Sequence, residues 1–522
     1  MSVEKIPLIS HIYKNKLLVD FLNQKQELSS LHNGHSFDRL DQGFLDNKDI
    51  DVKKRNLLVN VLSSQYENIG LPIPDNVLQL SKKGTYTITT GHQLCLFSGP
   101  QYFIHKIISI LKSAIELNKK HPNAHFVPLF WMASEDHDFE EISSVKVFGK
   151  EINIDNSFNK AVGTLDSSDF SSALEELKEL LKNDEKAIEI VQIFDQAYKK
   201  GNWSNVTRSY LDHLFQEYGL VILDANDKDL KNSFKSVISK EIIGKFIFNS
   251  VIDTNAVLKE NGYKPPINPR ELNLFYLNKS SRDRIISSNG TFTIGKTNFT
   301  LNQLHDLIDQ QPELFSPNVL MRPIYQEFLL PNVAYVGGPS ELTYWLQLKK
   351  AFDSIHLEFP LLILRDHFGW IDSKSYDWWE KQGFSLEDLF MPYDNLVKMY
   401  LSKEDTFDLS TAKEIFNQLD ISLKNTTDSI DSSVEQSINA SLRNMEKEFS
   451  KIENKLLKAF KIKNQQKLSK IQKIQSKVIN NGVLSERTDN FIAPFLNYKG
   501  NYIEKLIDTS QVDDYTLKMI RY

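Results

Sequence analysis

Three short stretches of the chain hold residue types that could do chemistry together. The first, Thr85-Tyr86-Thr87-Ile88-Thr89-Thr90-Gly91-His92-Gln93-Leu94-Cys95-Leu96-Phe97-Ser98-Gly99-Pro100-Gln101-Tyr102-Phe103-Ile104-His105-Lys106, reads as a strand, a glycine-bearing loop and a helix start. Gly91 and Gly99 let backbone approach a ligand. The first N–H groups of a helix lack internal partners and sit at its positive end, which suits phosphate or carboxylate. Ser98 and Gln101 have capping-box spacing, and Pro100 fits the first turn. His105 lies almost two turns after Ser98, on nearly the same face and at the edge of the apolar stripe. From there an imidazole can donate to a phosphate oxygen; the ordinary reading is a structural His that satisfies a backbone carbonyl. Lys106 points more nearly away from the stripe, so solvated surface is its default. Cys95 reads as a small, semi-buried loop residue, because no partner base stands at a set spacing.

The second stretch, Phe126–Met132, is a continuous apolar run that leads into Glu135-Asp136-His137-Asp138. Successive residues at a strand end point in different directions, so two or three of these four can face one ligand. They suit amine binding, or general base catalysis by His137 with an acidic partner such as Asp136. The cluster lacks the His pair at i, i+4 or the CxxC that marks zinc. The third stretch runs from Arg322 through Gln326 and Glu327 to a buried strand, then Gly337-Gly338-Pro339-Ser340-Glu341, Tyr344 and Trp345. It repeats the strand–glycine–proline–helix pattern of the first. Arg322 can bind a carboxylate or phosphate through two parallel N–H groups. Tyr344 and Trp345 offer a stacking surface, though core packing is the commoner fate of an aromatic pair.

These residues need a scaffold of parallel strands, since ligands collect at the carboxyl ends of such strands. The sequence supplies one. Thr85–Thr90, Phe126–Met132, Gly219–Asp224, Val333–Val336 and Leu361–Leu364 read as core strands, the last ending at Arg365-Asp366-His367. Ile104, Ile107, Ile108, Leu111 and Ile115 give the first crossover helix a 3.6-residue stripe. Asp224, at a strand end, is a weak ribose-binding candidate and more naturally a turn former. Residues 1–80 look helical and irregular. A charged helical insertion is expected over 150–200, and a β-rich one around 273–300, where Asn289-Gly290 marks a hairpin. Beyond 410, Ile438, Leu442, Met445, Phe449, Ile452 and Leu456 form a heptad seam. A second amphipathic run, Leu468, Ile471, Ile474 and Val478, is expected to return antiparallel to the first and to end at Asn480-Asn481-Gly482. The tail from 490, with Phe491, Phe495, Tyr498 and Tyr502, is aromatic enough to dock on a globular surface. The fold class is thus α/β, a Rossmann-like doubly wound core with two insertions and a C-terminal α-helical coiled-coil arm. The expected parts are 1–149 (N-terminal helices and first core segment), 150–203 (helical insertion) and 204–265 (core). There follow 266–318 (β-rich insertion), 319–405 (core), 406–485 (coiled coil) and 486–522 (docking tail).

Composition narrows the function. The chain has 522 residues, a formal net charge of −6, 41% hydrophobic residues and one cysteine. No concentrated basic face precedes residue 440, which argues against nucleic acid. The Lys-rich stretch from 458 to 477 reads as a solvated coiled-coil face. No signal-peptide core and no run of 18 apolar residues are seen, so a cytoplasmic protein with no membrane partner is expected.

The runs GHQLCLFSGPQYFIHK, FWMASEDHDFEEI and RPIYQEFLLPNVAYVGGPSELTYW together resemble the cysteine ligase family BshC, over nearly the whole chain and in motif order. The resemblance implies addition of L-cysteine to glucosaminyl-malate, the last step of bacillithiol synthesis, on a scaffold related to class I aminoacyl-tRNA synthetases. Amide formation from a free carboxylate needs activation, so ATP is expected as co-substrate, with Mg2+ on its phosphates and no tightly bound cofactor. The chain lacks a full HIGH signature and a clean KMSKS-type loop. The expected catalytic set is His105, His137 and Asp136. The expected binding set is Gly91, Gln93, Ser98, Gly99, Lys106, Glu135, Asp138, Arg322, Gln326, Glu327, Gly338, Glu341, Tyr344 and Trp345, with no resident metal. A homodimer through the coiled coil is expected. The rivals are another ATP-dependent ligase or nucleotidyltransferase on this scaffold, or a non-catalytic coiled-coil binding protein.

Overall fold

A computed structural model describes residues 3–288, 290–402, 410–430, 434–498 and 500–522. The chain divides into two units, Met1–Gly369 with Glu486–Ile520, and Trp370–Ser485 with Arg521–Tyr522.

The first unit is built on a five-stranded parallel sheet. Across it the strands run Leu361–Leu364, Asn332–Gly337, Thr85–His92, His125–Met132 and Val221–Asp224. Numbered along the chain, this is the order 3-2-1-4-5 of a doubly wound sheet, with the reversal between Thr85–His92 and Asn332–Gly337. Side chains of the three middle strands are buried nearly throughout, as expected where helices cover both faces. The central pair is stitched by polar groups: Thr87 and Thr89 donate to Asn332 Oδ1 at 3.1 and 2.8 Å. The crossover helix Tyr102–Lys120 is buried at every position from Phe103 to Leu111. The tail helix Tyr502–Thr509 packs on it, with Phe491, Phe495 and Tyr502 buried.

Several sequence expectations are corrected. The N-terminal region contributes a strand, Val3–Pro7, paired antiparallel with Thr516–Arg521. The first insertion opens with a hairpin, Ser144–Val147 with Lys150–Asn153, before its helices Ser171–Leu181 and Ile188–Ala197. The second is an antiparallel sheet of five strands. Arg282–Ser288 pairs with Thr291–Ile294 across the expected turn, of which Asn289 lies outside the described residues. Ser98 does not cap the crossover helix. Its φ is +65°, the helix begins at Tyr102, and Gln101 holds the cap position. The cause is remote in sequence: Asn490 Nδ2 donates to Phe97 O at 2.8 Å and to Gly99 O at 2.6 Å, holding the loop in a tight turn.

In the second unit the long helix Glu435–Lys463 carries the heptad seam. Its partner is Ser410–Ile430, not the following helix, with Phe416 stacked on Phe449 at 5.5 Å and Lys413 bonded to Glu453 at 2.6 Å. The run Leu468, Ile471, Ile474 and Val478 is buried instead against the helices Ser373–Lys381 and Tyr393–Ser402. Gln475 anchors that contact by donating to the Leu389 and Met391 carbonyls. Asn481 and Gly482 turn the chain with φ of +50° and +79°, a turn that suits Asn-Gly.

Candidate active site

The carboxyl ends of the core strands open into a cleft of about 300 Å³. Its wall is made by Gly91, His92 and Gln93 after the first strand in the chain, Ala133 after the second, Gly338–Glu341 after the fourth and Arg365 after the fifth. Tyr102, Glu141, Arg322, Gln326, Tyr344 and Arg487 are among the other residues that line it. The cleft therefore sits at the strand-order reversal, where a doubly wound sheet leaves a crevice because neighbouring crossovers leave in opposite directions. Among the described residues no helix is long and apolar enough to cross a membrane.

The two glycine corners are tied together by one ion pair whose lysine end is buried and whose carboxylate is partly exposed. Lys106 Nζ donates to Gly91 O at 2.6 Å and to the Glu341 carboxylate at 2.7–2.8 Å. Glu341 also accepts from Gly338 N at 2.7 Å and from the Tyr335 hydroxyl at 2.6 Å. Burial pushes the Glu341 carboxyl up, but Lys106 and these donors outweigh it and hold the carboxyl below its ordinary value. Lys106 is 1% exposed, which corrects the expected surface position: its helix is covered on every side at this level.

Asp136 is the hub of the second strand end. It accepts from Gln93 Nε2 at 2.7 Å, Arg322 Nη2 at 3.0 Å, Arg282 Nη1 at 3.1 Å and its neighbour His137 N at 2.9 Å. Burial works against its charge, but the His137 ring, with Nδ1 3.5 Å away, the two guanidinium charges and the Gln93 amide keep the carboxyl well below the usual range. An ionised carboxylate only accepts, so the amide nitrogen of Gln93 must face it. That leaves Gln93 Oε1 buried without a partner. Arg322 is anchored by one nitrogen and lines the cleft with the rest of its guanidinium.

Behind the cleft lies a group that the sequence did not reveal. Glu486 is 1% exposed and accepts from Arg365 Nη1 and Nη2 at 3.1 and 2.7 Å, His105 Nδ1 at 2.9 Å and His367 Nδ1 at 2.6 Å. Burial opposes its charge, yet Arg365 and the histidines hold the carboxyl well below its ordinary value. Both imidazoles must carry Nδ1–H, and His367 Nε2 meets the Tyr13 hydroxyl. Arg365 fixes its fork on Glu486 and the Asp366 carbonyl and forms part of the cleft wall beneath Gly338. Burial lowers the His367 pKa to about 4, with the Arg365 charge adding to the effect. Between the ordinary 6.5 and that value the unfolded chain binds a proton that the folded chain does not, so this histidine's contribution to stability is lost as pH falls. In denaturant unfolding, the stability gap between wild type and His367→Gln should therefore narrow from pH 7.5 to pH 4, by roughly 2–3 kcal/mol. An unchanged gap would show that His367 is not buried neutral.

The expected site residues divide accordingly. Gly91, Gln93, Lys106, Arg322, Gln326, Gly338, Glu341, Tyr344 and Trp345 line the cleft, and Asp136 stands directly behind two of them. Trp345 is mainly core: it is 1% exposed and stacks on Tyr335 at 4.4 Å. His105 is corrected from cleft to interior, since it is fully buried and spends its Nδ1–H on Glu486. His137 packs on Phe275 with Nδ1 3.2 Å from Arg282, outside the cleft wall. Glu135 turns away to a buried pair with Lys231 at 2.9 Å, and Glu327 to one with Lys48 at 2.9 Å. Asp138 caps the short helix Phe139–Ile142. Ser98 and Gly99 are packed under Asn490, and Gln101 N donates to Asp489 O, so the expected anion corner at this helix start is closed by chain. Asp224 is a turn former that accepts from Asn226 N and the Ser134 hydroxyl. Cys95 is buried, and burial raises its thiol pKa far above the ordinary value, which leaves it inert. His92, Tyr102, Glu141, Arg365, Glu486 and Arg487 were missed. Only Arg365, at the end of an apolar run, had a usable signal.

The sheet order and the charged cleft at its reversal define a Rossmann-like protein with a helical second unit, and family comparison breaks the chain at nearly the same first boundary, although it counts the tail 486–520 with the second part whereas the structure counts it with the first. Residues 1–366 match the model described as "Bacillithiol biosynthesis BshC, N-terminal Rossmann-like domain", and residues 369–522 match "Bacillithiol biosynthesis BshC, C-terminal coiled-coil domain". The chain belongs to the BshC family of bacillithiol biosynthesis. A relative from Flavobacterium johnsoniae, named "Putative cysteine ligase BshC", is 36% identical over 95% of both chains. One of the same name from Cytophaga hutchinsonii is 32% identical over 100% of this chain and 99% of its own, and one from Bacillus anthracis is 27% identical over 94% and 95%.

Proposed function

We propose that this protein is the ligase that joins L-cysteine to glucosaminyl-malate to give bacillithiol, driven by ATP. The observation that carries the reading is the cleft at the strand-order reversal, which presents two guanidinium groups with unused donors, Arg322 and Arg487. Such groups suit the carboxylates of a malyl moiety and the phosphates of a nucleotide. The names of the relatives supply the cysteine.

The chemistry follows from the bond to be made. The cysteine carboxylate attacks a phosphorus of ATP, giving an acyl-adenylate and pyrophosphate or an acyl-phosphate and ADP. The glucosamine amine then attacks the activated carbonyl and expels AMP or phosphate. Arg322 and Arg487 neutralise negative oxygens in this scheme, Lys106 and Glu341 fix the distance between the two glycine corners, and Tyr344 flanks the ligand. Mg2+ would ride on the ATP phosphates, needing at most one or two carboxylates from the protein.

Mass spectrometry of trapped low-molecular-weight thiols from cells lacking the gene is the test. Loss of bacillithiol with build-up of glucosaminyl-malate, reversed when the gene is restored, is expected; unchanged bacillithiol would contradict the assignment. On the same reading the arm pairs with a second copy, because Met445, Ile452 and Leu456 on the heptad seam are 41–54% exposed in one chain. Sedimentation velocity should show a dimer, and a monomer at micromolar concentration would exclude it.

A further inference from the structure

The charges of the cleft do not balance within the protein. Asp136 is saturated by four donors, and Glu341 is committed to Lys106, Tyr335 and Gly338. Glu141 is different. It lines the cleft from the short helix Phe139–Ile142, on the solvent-exposed side of the site, and its carboxylate makes no hydrogen bond or ion pair with the described residues. On the other side of the account, Arg487 makes no ion pair among the described residues, only a contact with the Tyr102 ring at 5.7 Å, and Arg322 is half used. The uncommitted groups are thus one carboxylate and two guanidiniums. A ligand that completes them carries one cationic or donating nitrogen and at least two negative oxygens.

A second observation points to the nitrogen. Gln93 Oε1 is a buried acceptor with no partner, fixed in that orientation because Gln93 Nε2 must face Asp136. Leaving a buried acceptor unsatisfied is costly, and because Gln93 lines the cleft, an N–H or O–H of a bound ligand that reached this oxygen would satisfy it. Partial desolvation by the cleft wall, with the charges of Asp138 and Asp136, raises the Glu141 carboxyl above its ordinary pKa against the opposing pull of Arg322 and Lys106, which suits a group that must take up a proton.

We propose that Glu141 receives the primary amine of the acceptor substrate and is the base for its attack. This rests on the ligase reading given above. The ammonium gives one proton to the Glu141 carboxylate. The freed nitrogen lone pair forms the C–N bond to the activated carbonyl. The C–O bond to the phosphate-bearing group breaks, its electron pair leaves on that oxygen, and the second proton of the nitrogen departs with it.

The test compares two ligands on the full-length protein by calorimetry: glucosaminyl-malate, and the same molecule with its amine acetylated, which cannot be protonated. Wild type should prefer the free amine by about tenfold or more, a difference of ~1.4 kcal/mol. Glu141→Gln should erase the preference while binding the acetylated ligand as wild type does, and its kcat/KM should lose the acidic limb of the pH profile. Glu141→Asp should restore part of both. Loss of affinity for both ligands alike would make Glu141 merely structural and overturn the proposal, as would a retained preference in Glu141→Gln. Wild type that binds both ligands equally would overturn it too. Wild type that binds neither would instead remove the ligase reading, and this inference with it.

Discussion

Replacing Glu486 by Ala should be the most damaging single change in the first unit. It removes the acceptor for Arg365 and for both Nδ1–H groups of His105 and His367, all within a region 0–2% exposed. An Arg left buried without its partner costs ~3–5 kcal/mol. Orphaned neutral donors add to that at ~1–3 kcal/mol each where water cannot reach them. Glu486→Gln keeps the volume and one acceptor oxygen, but it turns an NH2 towards donors, so it should fall only slightly short of Ala. Urea unfolding provides the measure, and the midpoint of either variant should drop sharply. A loss under 1 kcal/mol would mean the cluster does not hold the charge described here. Activity should fall with stability, because Arg365 forms part of the cleft wall.

Lys106→Met is the second large effect, and its weight falls on activity. Methionine fills much of the same volume, but it cannot bond Gly91 O or neutralise Glu341. Glu341 is about a quarter exposed at its side chain, so water can screen part of the lost charge. The stability cost should therefore lie near the lower end for a broken buried pair, ~1–3 kcal/mol. The cleft suffers more. Its two glycine corners lose the only cation that joins them among the described residues, and an uncompensated carboxylate now faces incoming phosphates or carboxylates. kcat/KM should drop by about 100-fold, in line with misplacement of binding groups by an ångström or so. Steady-state kinetics on the variant, with circular dichroism to confirm folding, decides it. Activity within threefold of wild type would show that the corners do not act together.

How far the sequence could be read depended on how local the cause was. The core strands were legible because Phe126–Met132 and Leu361–Leu364 are unbroken apolar runs, and the crossover helix because its stripe repeats every 3.6 residues. The two glycine corners were legible for the same reason, each following its own strand. Lys106 was misplaced because a helical wheel assumes one covered face, whereas this helix lies under sheet and tail together. Ser98 was misread as a cap because Asn490, some 390 residues away, sets the loop. Glu486 carried no signal at all. It follows the Asn480-Asn481-Gly482 turn in a segment without periodicity, and its role exists only once the tail has folded onto the sheet. His105 was rightly drawn to the edge of the stripe, but sequence could not say that a carboxylate from the far end of the chain would be waiting there.

On the proposed reading, the cleft joins cysteine to an amine at the expense of ATP. Purified full-length protein should therefore be incubated with L-cysteine, glucosaminyl-malate, ATP and Mg2+, and the mixture followed by mass spectrometry. Bacillithiol should appear in step with AMP or ADP, one nucleotide consumed per amide formed, and no product should form when ATP is withheld. Intact substrates after prolonged incubation, with a protein shown to be folded and to bind glucosaminyl-malate, would contradict it.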